Sequence, residues 1–295
     1  MPAVKDLGDD TVHVYLNGKF VAEENAMISI DDRGFLFADG VYEVVHVYGR
    51  TLFEWDLHMA RLQRSVAAVE LPPVDLVSLR HVAEELVSRL DASESEASLY
   101  LEITRGTHRR SHGFPPAGST EPTVLMWVRP VVPISRPTIE DGVPMISVAD
   151  DRWAKVWIKT IGLLPNVLAK HKAQQAGMFD AIFIRDGMVT EATSANIFIV
   201  ESGTLHTAPT TNYILPGITR QVVLELAAAR GIAIDLTPFS YESLLDADEA
   251  FLTGTLTEVL PISEVDGHRL RHTSGPIARQ LLEDLHRRAG WPGSL

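Results

Sequence analysis

The chain has 295 residues, 45% hydrophobic and 22% charged, with a net charge of −13 and no cysteine. This length suits two domains of ordinary size with sizeable cores, whereas the acidic balance speaks against nucleic-acid or anionic-membrane binding, and no run approaches a membrane span. Disulfides, thiolate zinc sites and cysteine nucleophiles are excluded; the histidines show no HExxH or other paired ligand spacing, so no metal site is expected, and the lack of a basic-then-apolar leader makes the cytoplasm the expected location.

Residues 1–10 are polar. Val12 to Leu16, the pair Asn17-Gly18 and Lys19 to Val21 then read as a hairpin, because both turn residues tolerate positive φ. Asp39-Gly40 precedes a β-rich run from Val41 to Tyr48. Asp56 is a plausible N-cap for a helix carrying Met59, Leu62, Val66 and Val69, with Arg61 beside the apolar stripe. A second helix follows Pro72-Pro73, with Leu76, Leu79, Val82, Leu86 and Leu90 on one face. Leu99, Leu101 and Ile103 alternate with polar residues as a half-buried strand, and Val124 to Val128 forms the next. Between them Arg105 to Thr120 is a long basic loop.

Pro130, Pro133 and Pro137 mark a domain boundary. The expected division is a first domain over 1–131, a linker over 132–137 and a second domain over 138–295. The second half opens with a strand from Val143 to Val148 and a strand bearing Lys159. A helix over Val167–Ala176 ends at Gly177. Asp186-Gly187 turns a second hairpin, and strands continue through Ile197–Val200 and Leu205–Thr207. Gly217 opens a helix with Val222, Val223 and Leu226 inward, and 276–289 form a last helix. Strands and helices mix in both halves, and the hairpins favour antiparallel pairing. The expected class is therefore α+β.

Lys159 follows Val156, Trp157 and Ile158 and precedes Ile161, Leu163 and Leu164. An apolar setting disfavours the charged form of a lysine, and a neutral lysine is a nucleophile able to form a Schiff base with a carbonyl. Glu191 lies further on, in a small-residue turn between two β-like runs. A Schiff-base lysine with a carboxylate for the ring nitrogen is what pyridoxal phosphate requires. Gly217-Ile218-Thr219 offers two amides at a helix start and a hydroxyl for a phosphate; Gly254-Thr255 offers another.

Five stretches carry a resemblance. Asp31-Asp32-Arg33-Gly34 leading to Phe37-Ala38-Asp39-Gly40-Val41-Tyr42-Glu43 resembles the N-terminal signature of the fold-type IV pyridoxal-phosphate enzymes. So do Ile158-Lys159-Thr160, Glu191-Ala192-Thr193-Ser194-Ala195-Asn196-Ile197-Phe198, Leu215-Pro216-Gly217-Ile218-Thr219-Arg220 and Thr253-Gly254-Thr255-Leu256-Thr257-Glu258. The five occur in the family's order, and the resemblance covers about residues 12 to 285.

The resemblance implies two α/β domains with the cofactor in the cleft between them. It implies Lys159 as the catalytic, cofactor-bearing lysine and Glu191 as partner of the ring nitrogen. Arg61, in His58-Met59-Ala60-Arg61-Leu62, resembles the family's phosphate-binding arginine. Ile218, Thr219, Thr255, Ser194 and Leu215 complete the expected cofactor contacts. The loop's Arg110-x-His112, with Tyr42, resembles the substrate-carboxylate trap of the D-amino acid aminotransferases, although the adjacent Arg109 leaves the register open by one. In the family that loop comes from the neighbouring subunit, which implies a homodimer with shared sites. The expected reaction is ping-pong transfer of the amino group of a D-amino acid to 2-oxoglutarate or pyruvate. Leu164-Pro165-Asn166-Val167-Leu168 is similar to branched-chain aminotransferases. A branched-chain L-amino acid aminotransferase, an (R)-amine transaminase, a lyase and a catalytically silent cofactor-binding protein therefore remain alternatives.

Overall fold

In the computed structural model, which describes residues 13–291, Asn17 and Gly18 both take positive φ, 47° and 88°. They join β1 (His13–Leu16) to β2 (Lys19–Ala22) as the hairpin that an Asn-Gly pair favours. The polar stretch 1–10 lies outside the described residues. The chain forms two compact units. One comprises the described residues up to Pro133 together with Ile158–Gly162, and the other Ile134–Trp157 with the described residues from Leu163 onward.

The first unit continues with α1 (Arg33–Phe37), β3 (Gly40–Tyr48), β4 (Thr51–Leu52), α2 (Trp55–Ala68), α3 (Leu79–Ser88), β5 (Glu96–Thr104) and β6 (Thr123–Pro130). Its strands form one antiparallel sheet in the order β2-β1-β6-β5-β3-β4. Side chains alternate along a strand, so Val41, Glu43, Val45 and Val47 share a face. All four are fully buried, with Leu99, Leu101 and Ile103 opposite them on β5. α2 packs on β3, and its Met59 and Leu62 are buried. Its N-cap is Glu54 in a left-handed conformation rather than Asp56, which lies in the first turn, where an acid suits the helix dipole.

The second unit runs α4 (Arg136–Asp141), β7 (Val143–Ala149), α5 (Leu164–Gln175), β8 (Asp180–Arg185), β9 (Met188–Ala192), β10 (Asn196–Glu201), β11 (Thr204–Thr207), α6 (Ile218–Ala229), β12 (Ile234–Asp235), α7 (Tyr241–Asp246), β13 (Glu249–Gly254), β14 (Glu258–Val265), β15 (His268–Arg269) and α8 (Pro276–Arg288). Part of the expected linker is helix. Ser135 caps α4 by accepting from the Thr138 amide, and the proline of Arg136-Pro137 occupies the first turn, where its missing N–H costs nothing.

The larger sheet has the order β12-β11-β10-β13-β14-β7-β8-β9, with β15 on β14. β9 also pairs with β10 through Glu191 and Asn196, so the strands from β10 round to β9 close into a ring. Most pairs are antiparallel, as the hairpins suggested; β7 runs parallel to both β14 and β8. Phe198 and Phe251 stack at 5.2 Å within the core, and α6 and α8 pack together on the β13–β14 side.

Candidate active site

The segment 158–162 goes with the first unit, although the sequence places it in the second domain. The expected Lys159 strand is a turn ending in a single β-bridge, Thr160 to Val41. The physical reason lies in β3. β4 pairs only with Val47 and Tyr48, leaving the edge at Gly40–Tyr42 open, and unpaired backbone groups need partners. Tyr42 N–H donates to the Lys159 carbonyl at 3.0 Å, and Ile161 N–H to the Gly40 carbonyl at 3.2 Å. Gly40 fits closely between the two neighbours of β3: a Cβ there would lie 2.9 Å from the Ile103 carbonyl oxygen of β5 and 2.9 Å from Ile161 Cδ1.

Lys159 itself is half-buried, its amide donating to Ser65 Oγ of α2 at 3.2 Å. Its Nζ sits 4.1 Å from the Tyr42 ring centroid, within range of a cation–π contact. The apolar flank holds on one side only. Ile158 is buried, whereas Leu163 and Leu164 are exposed.

One turn before Ser65, Arg61 donates from Nε and Nη2 to the two oxygens of Glu43, each at 2.7 Å. His58 Nδ1 lies 2.8 Å from Glu43 Oε2. Burial alone would raise the Glu43 pKa, but Arg61 and His58 hold it far below the ordinary carboxylate range. Burial lowers His58 against the pull of Glu43, so the ring is neutral near pH 7. An ionised carboxylate can only accept, so Nδ1 carries the proton and donates. Breaking such a buried pair from one side costs about 3–5 kcal/mol. The guanidinium of Arg61 is thus fixed in direction.

Arg110 and His112 lie on the exposed loop between β5 and β6. They come together on one side chain of α1. The Arg110 guanidinium is 5.2 Å from the Phe37 ring centroid, and the His112 ring 5.6 Å. Tyr42 is half-buried and stacks on Tyr100 at 5.7 Å.

In the second unit, Glu191 closes the ring of strands and is buried. Its Oε1 accepts from Arg152 Nη1 at 2.6 Å; its Oε2 accepts from the Leu215 amide at 2.9 Å and from Asn196 Nδ2 at 3.2 Å. Burial raises the Glu191 pKa above the usual range, opposed by Arg152 and the Leu215 amide. Arg152 is itself buried and also grips Asp150 through Nε and Nη2.

Two glycines converge on the Glu191–Asn196 turn. A Cβ on Gly217 would meet Asn196 Oδ1 at 2.1 Å, and one on Gly254 would lie 3.3 Å from the Ser194 carbonyl and 2.4 Å from Thr257 Oγ1. Gly217 is the N-cap of α6 and supplies no side-chain cap, and Ile218 and Thr219 start the helix, both buried. First-turn amides lack intrahelical partners and suit an anion. Thr255 occupies the β13–β14 turn, and the buried Thr257 hydroxyl beside it makes no hydrogen bond within the chain. A fixed carboxylate, a helix start bared by glycine and an orphaned hydroxyl fit a phosphorylated pyridine. The structure thus gathers Glu191, Ser194, Leu215, Ile218, Thr219 and Thr255 in one unit, and Lys159, Tyr42, Arg61, Arg110 and His112 in the other.

Sequence reasoning missed Glu43 and His58 as partners of Arg61, Asn196 as a support of Glu191, and Arg152. The available signal for Arg152 was Asp150-Asp151-Arg152, a charged run just after a hydrophobic strand.

Comparison with known proteins bears on this site. The model of the family described as amino-transferase class IV matches residues 40–265. D-alanine aminotransferase of Bacillus licheniformis is 38% identical over 273 residues, covering 91% of this chain and 94% of that protein. Among solved structures, branched-chain aminotransferase of Thermoproteus uzoniensis with norvaline superposes with a TM-score of 0.82 at 28% identity, covering 96% of each chain. A hypothetical aminotransferase of Mycobacterium tuberculosis in its PLP-bound form superposes with a TM-score of 0.81 at 26% identity, covering 94% of this chain and 98% of that one.

Proposed function

Because the chain belongs to the amino-transferase class IV family, we propose that it transfers the amino group of a D-amino acid to a 2-oxo acid, such as 2-oxoglutarate or pyruvate, as a cytoplasmic homodimer. It is a pyridoxal-phosphate-dependent transaminase. The observation that carries the D-amino acid reading is the pairing of Arg110 and His112 on Phe37. Two nitrogenous side chains held against one ring suit a carboxylate. The 38% identity to a D-alanine aminotransferase supports the same choice. Four large apolar side chains, Met27, Ile28, Ile30 and Phe35, are exposed within a nine-residue stretch, which supports a second copy covering them. Among the described residues no helix is long and apolar enough to cross a membrane.

When bound, pyridoxal phosphate supplies an aldehyde for amines and an electron-withdrawing ring. On this reading Lys159 would hold it covalently through Nζ. Glu191 would hold the ring nitrogen; Arg61, Ile218, Thr219 and Thr255 would hold the phosphate, with Ser194 and Leu215 as flanking contacts. Lys159 Nζ takes the proton from the substrate Cα and later returns it, as base and then acid. Arg152, Asn196 and the Leu215 amide keep Glu191 in one orientation throughout. Arg110, His112 and Tyr42 orient the substrate carboxylate, which fixes which hand of amino acid presents its hydrogen to Lys159. Departure of the 2-oxo acid before the second substrate binds gives ping-pong kinetics.

The test is a panel of D- and L-amino acids and (R)-amines assayed with 2-oxoglutarate and pyruvate. D-Alanine or D-glutamate should give the highest kcat/KM. Faster turnover of L-valine or L-leucine would replace this reading with the branched-chain one, and failure of every amine on a borohydride-reducible preparation would leave a silent cofactor-binding protein.

A further inference from the structure

The loop between β5 and β6 has no regular structure, yet it carries the two side chains assigned to the carboxylate. Long loops of this kind are costly to hold in one arrangement. α1 supplies the restraint. Asp32, its N-cap, is buried and accepts from Thr104 Oγ1 at 2.8 Å and Thr123 Oγ1 at 2.6 Å, the last residue of β5 and the first of β6. Both stems of the loop are therefore tied to one carboxylate. Arg33 amide donates to the Gly106 carbonyl at 3.0 Å, and His108 amide to the Asp31 carbonyl at 3.1 Å.

The tip is held by the Arg33 side chain, which is only 3% exposed. Its Nε donates to Asp39 Oδ2 at 2.8 Å, and its Nη1 to the Ser111 carbonyl at 2.7 Å, with the Gly113 carbonyl at 3.4 Å. Ser111 is the residue between Arg110 and His112. The Arg33 guanidinium lies 4.8 Å from the Phe37 ring centroid, so the same ring meets Arg33, Arg110 and His112. Asp39 is anchored in turn by Arg105, through bonds of 2.7 and 2.9 Å. Burial would raise the Asp39 pKa, but the two arginines hold it below the ordinary range.

We propose that Arg33 is a positioning residue for substrate specificity. By pinning the Ser111 carbonyl it holds Arg110 and His112 together on Phe37, in the arrangement that selects amines bearing a carboxylate. The proposal rests on the carboxylate role of Arg110 and His112 argued above. A lysine cannot span Asp39 and two carbonyls at once, because it offers one nitrogen in place of a planar fork. Arg105 still satisfies Asp39 in an Arg33 variant, so the fold has a remaining partner for that acid.

The experiment compares Arg33→Lys and Arg33→Gln with Arg110→Ala in the holoenzyme. For D-alanine we expect the Arg33 variants to raise KM about 10-fold with kcat changed less than about 2-fold, the split for a lost binding contact. KM for an (R)-amine without a carboxylate should stay unchanged. Tryptic cleavage after Arg109 or Arg110 should accelerate, a readout independent of turnover. Equal KM shifts for both substrates, or no change in KM and cleavage, would overturn the proposal. Faster cleavage with no D-alanine effect in either Arg33 variant or Arg110→Ala would remove the carboxylate role itself, leaving Arg33 a loop anchor only. If the Arg33 variants do not fold, Phe37→Leu, which removes the shared ring, should give the same selective rise in KM, and an unselective or absent effect there overturns the proposal.

Discussion

Arg152 Nη1 donates to Glu191 Oε1 at 2.6 Å while the other nitrogens of the same guanidinium grip Asp150. The arginine therefore sets both the direction and the charge of the acid assigned to the ring nitrogen. Removing it takes away the main influence that opposes burial, so the already raised Glu191 pKa rises further. At neutral pH less of Glu191 is then ionised, and the lost rate returns as pH increases. Arg152→Gln should lower kcat and move the acid limb of the pH–rate profile upward; Arg152→Lys, which keeps the charge, should do so less. Glu191→Gln should lose kcat at every pH. An unshifted acid limb in Arg152→Gln would assign the limb to another group.

Lys159 sits half-buried over the Tyr42 ring. Borohydride reduction of the holoenzyme and peptide mapping should label Lys159 and not Lys155 or Lys170. Lys159→Ala should fold and lose turnover by about 10³-fold or more, since in the proposed reaction one amine serves both proton transfers. Mixed with Arg110→Ala chains, it should regain activity, because one site of a mixed dimer would combine an intact lysine with an intact loop. Confirmed heterodimers without recovery would show that the loop serves its own subunit.

Gly217→Ala would drive a methyl group to 2.1 Å from Asn196 Oδ1. Asn196 also holds Glu191 Oε2 and the Leu215 carbonyl, so relief of the clash disturbs the carboxylate and the α6 start together. Overpacking of this kind costs about 1–3 kcal/mol. The expected outcome is a lower melting temperature and a weaker Kd for pyridoxal phosphate by equilibrium dialysis, both read without turnover. A Kd equal to that of the parent would mean that the α6 start does not hold the phosphate.

His58 is buried neutral beside Glu43, with its pKa lowered by burial. In the unfolded chain it titrates near about 6.5. As pH falls through that value the unfolded state takes up a proton that the folded state refuses, so stability declines toward the lower folded pKa. Glu43, whose folded pKa is depressed, adds a second loss below the ordinary carboxylate range. The melting temperature should fall between pH 7 and pH 5, and His58→Gln should flatten that part of the profile. Parallel profiles for parent and variant would show that other histidines govern it.

The sequence by itself determined the elements whose cause is local. Asn17-Gly18 and Asp186-Gly187 specify hairpins because their positive φ is intrinsic to the turn. The apolar spacing of Met59 and Leu62 selects the buried face of α2 for the same kind of reason. The five motifs also pointed to Lys159 and Glu191 as candidates, because the proposed chemistry is carried by residue type and order. Tertiary structure decided what depends on distant partners. Lys159 docks on β3 because the sheet leaves an edge open at Gly40–Tyr42, a fact of pairing that no local pattern encodes. Glu43 is polar on an otherwise apolar strand face, and only the approach of α2 shows that Arg61 and His58 answer it. Arg33 and Ser111 stand far apart in sequence, and Arg152 and Glu191 are likewise remote. Their geometry follows from the closure of β3, β5 and β6 in one unit and of the strand ring in the other, because buried charges are tolerated only where the fold brings them partners.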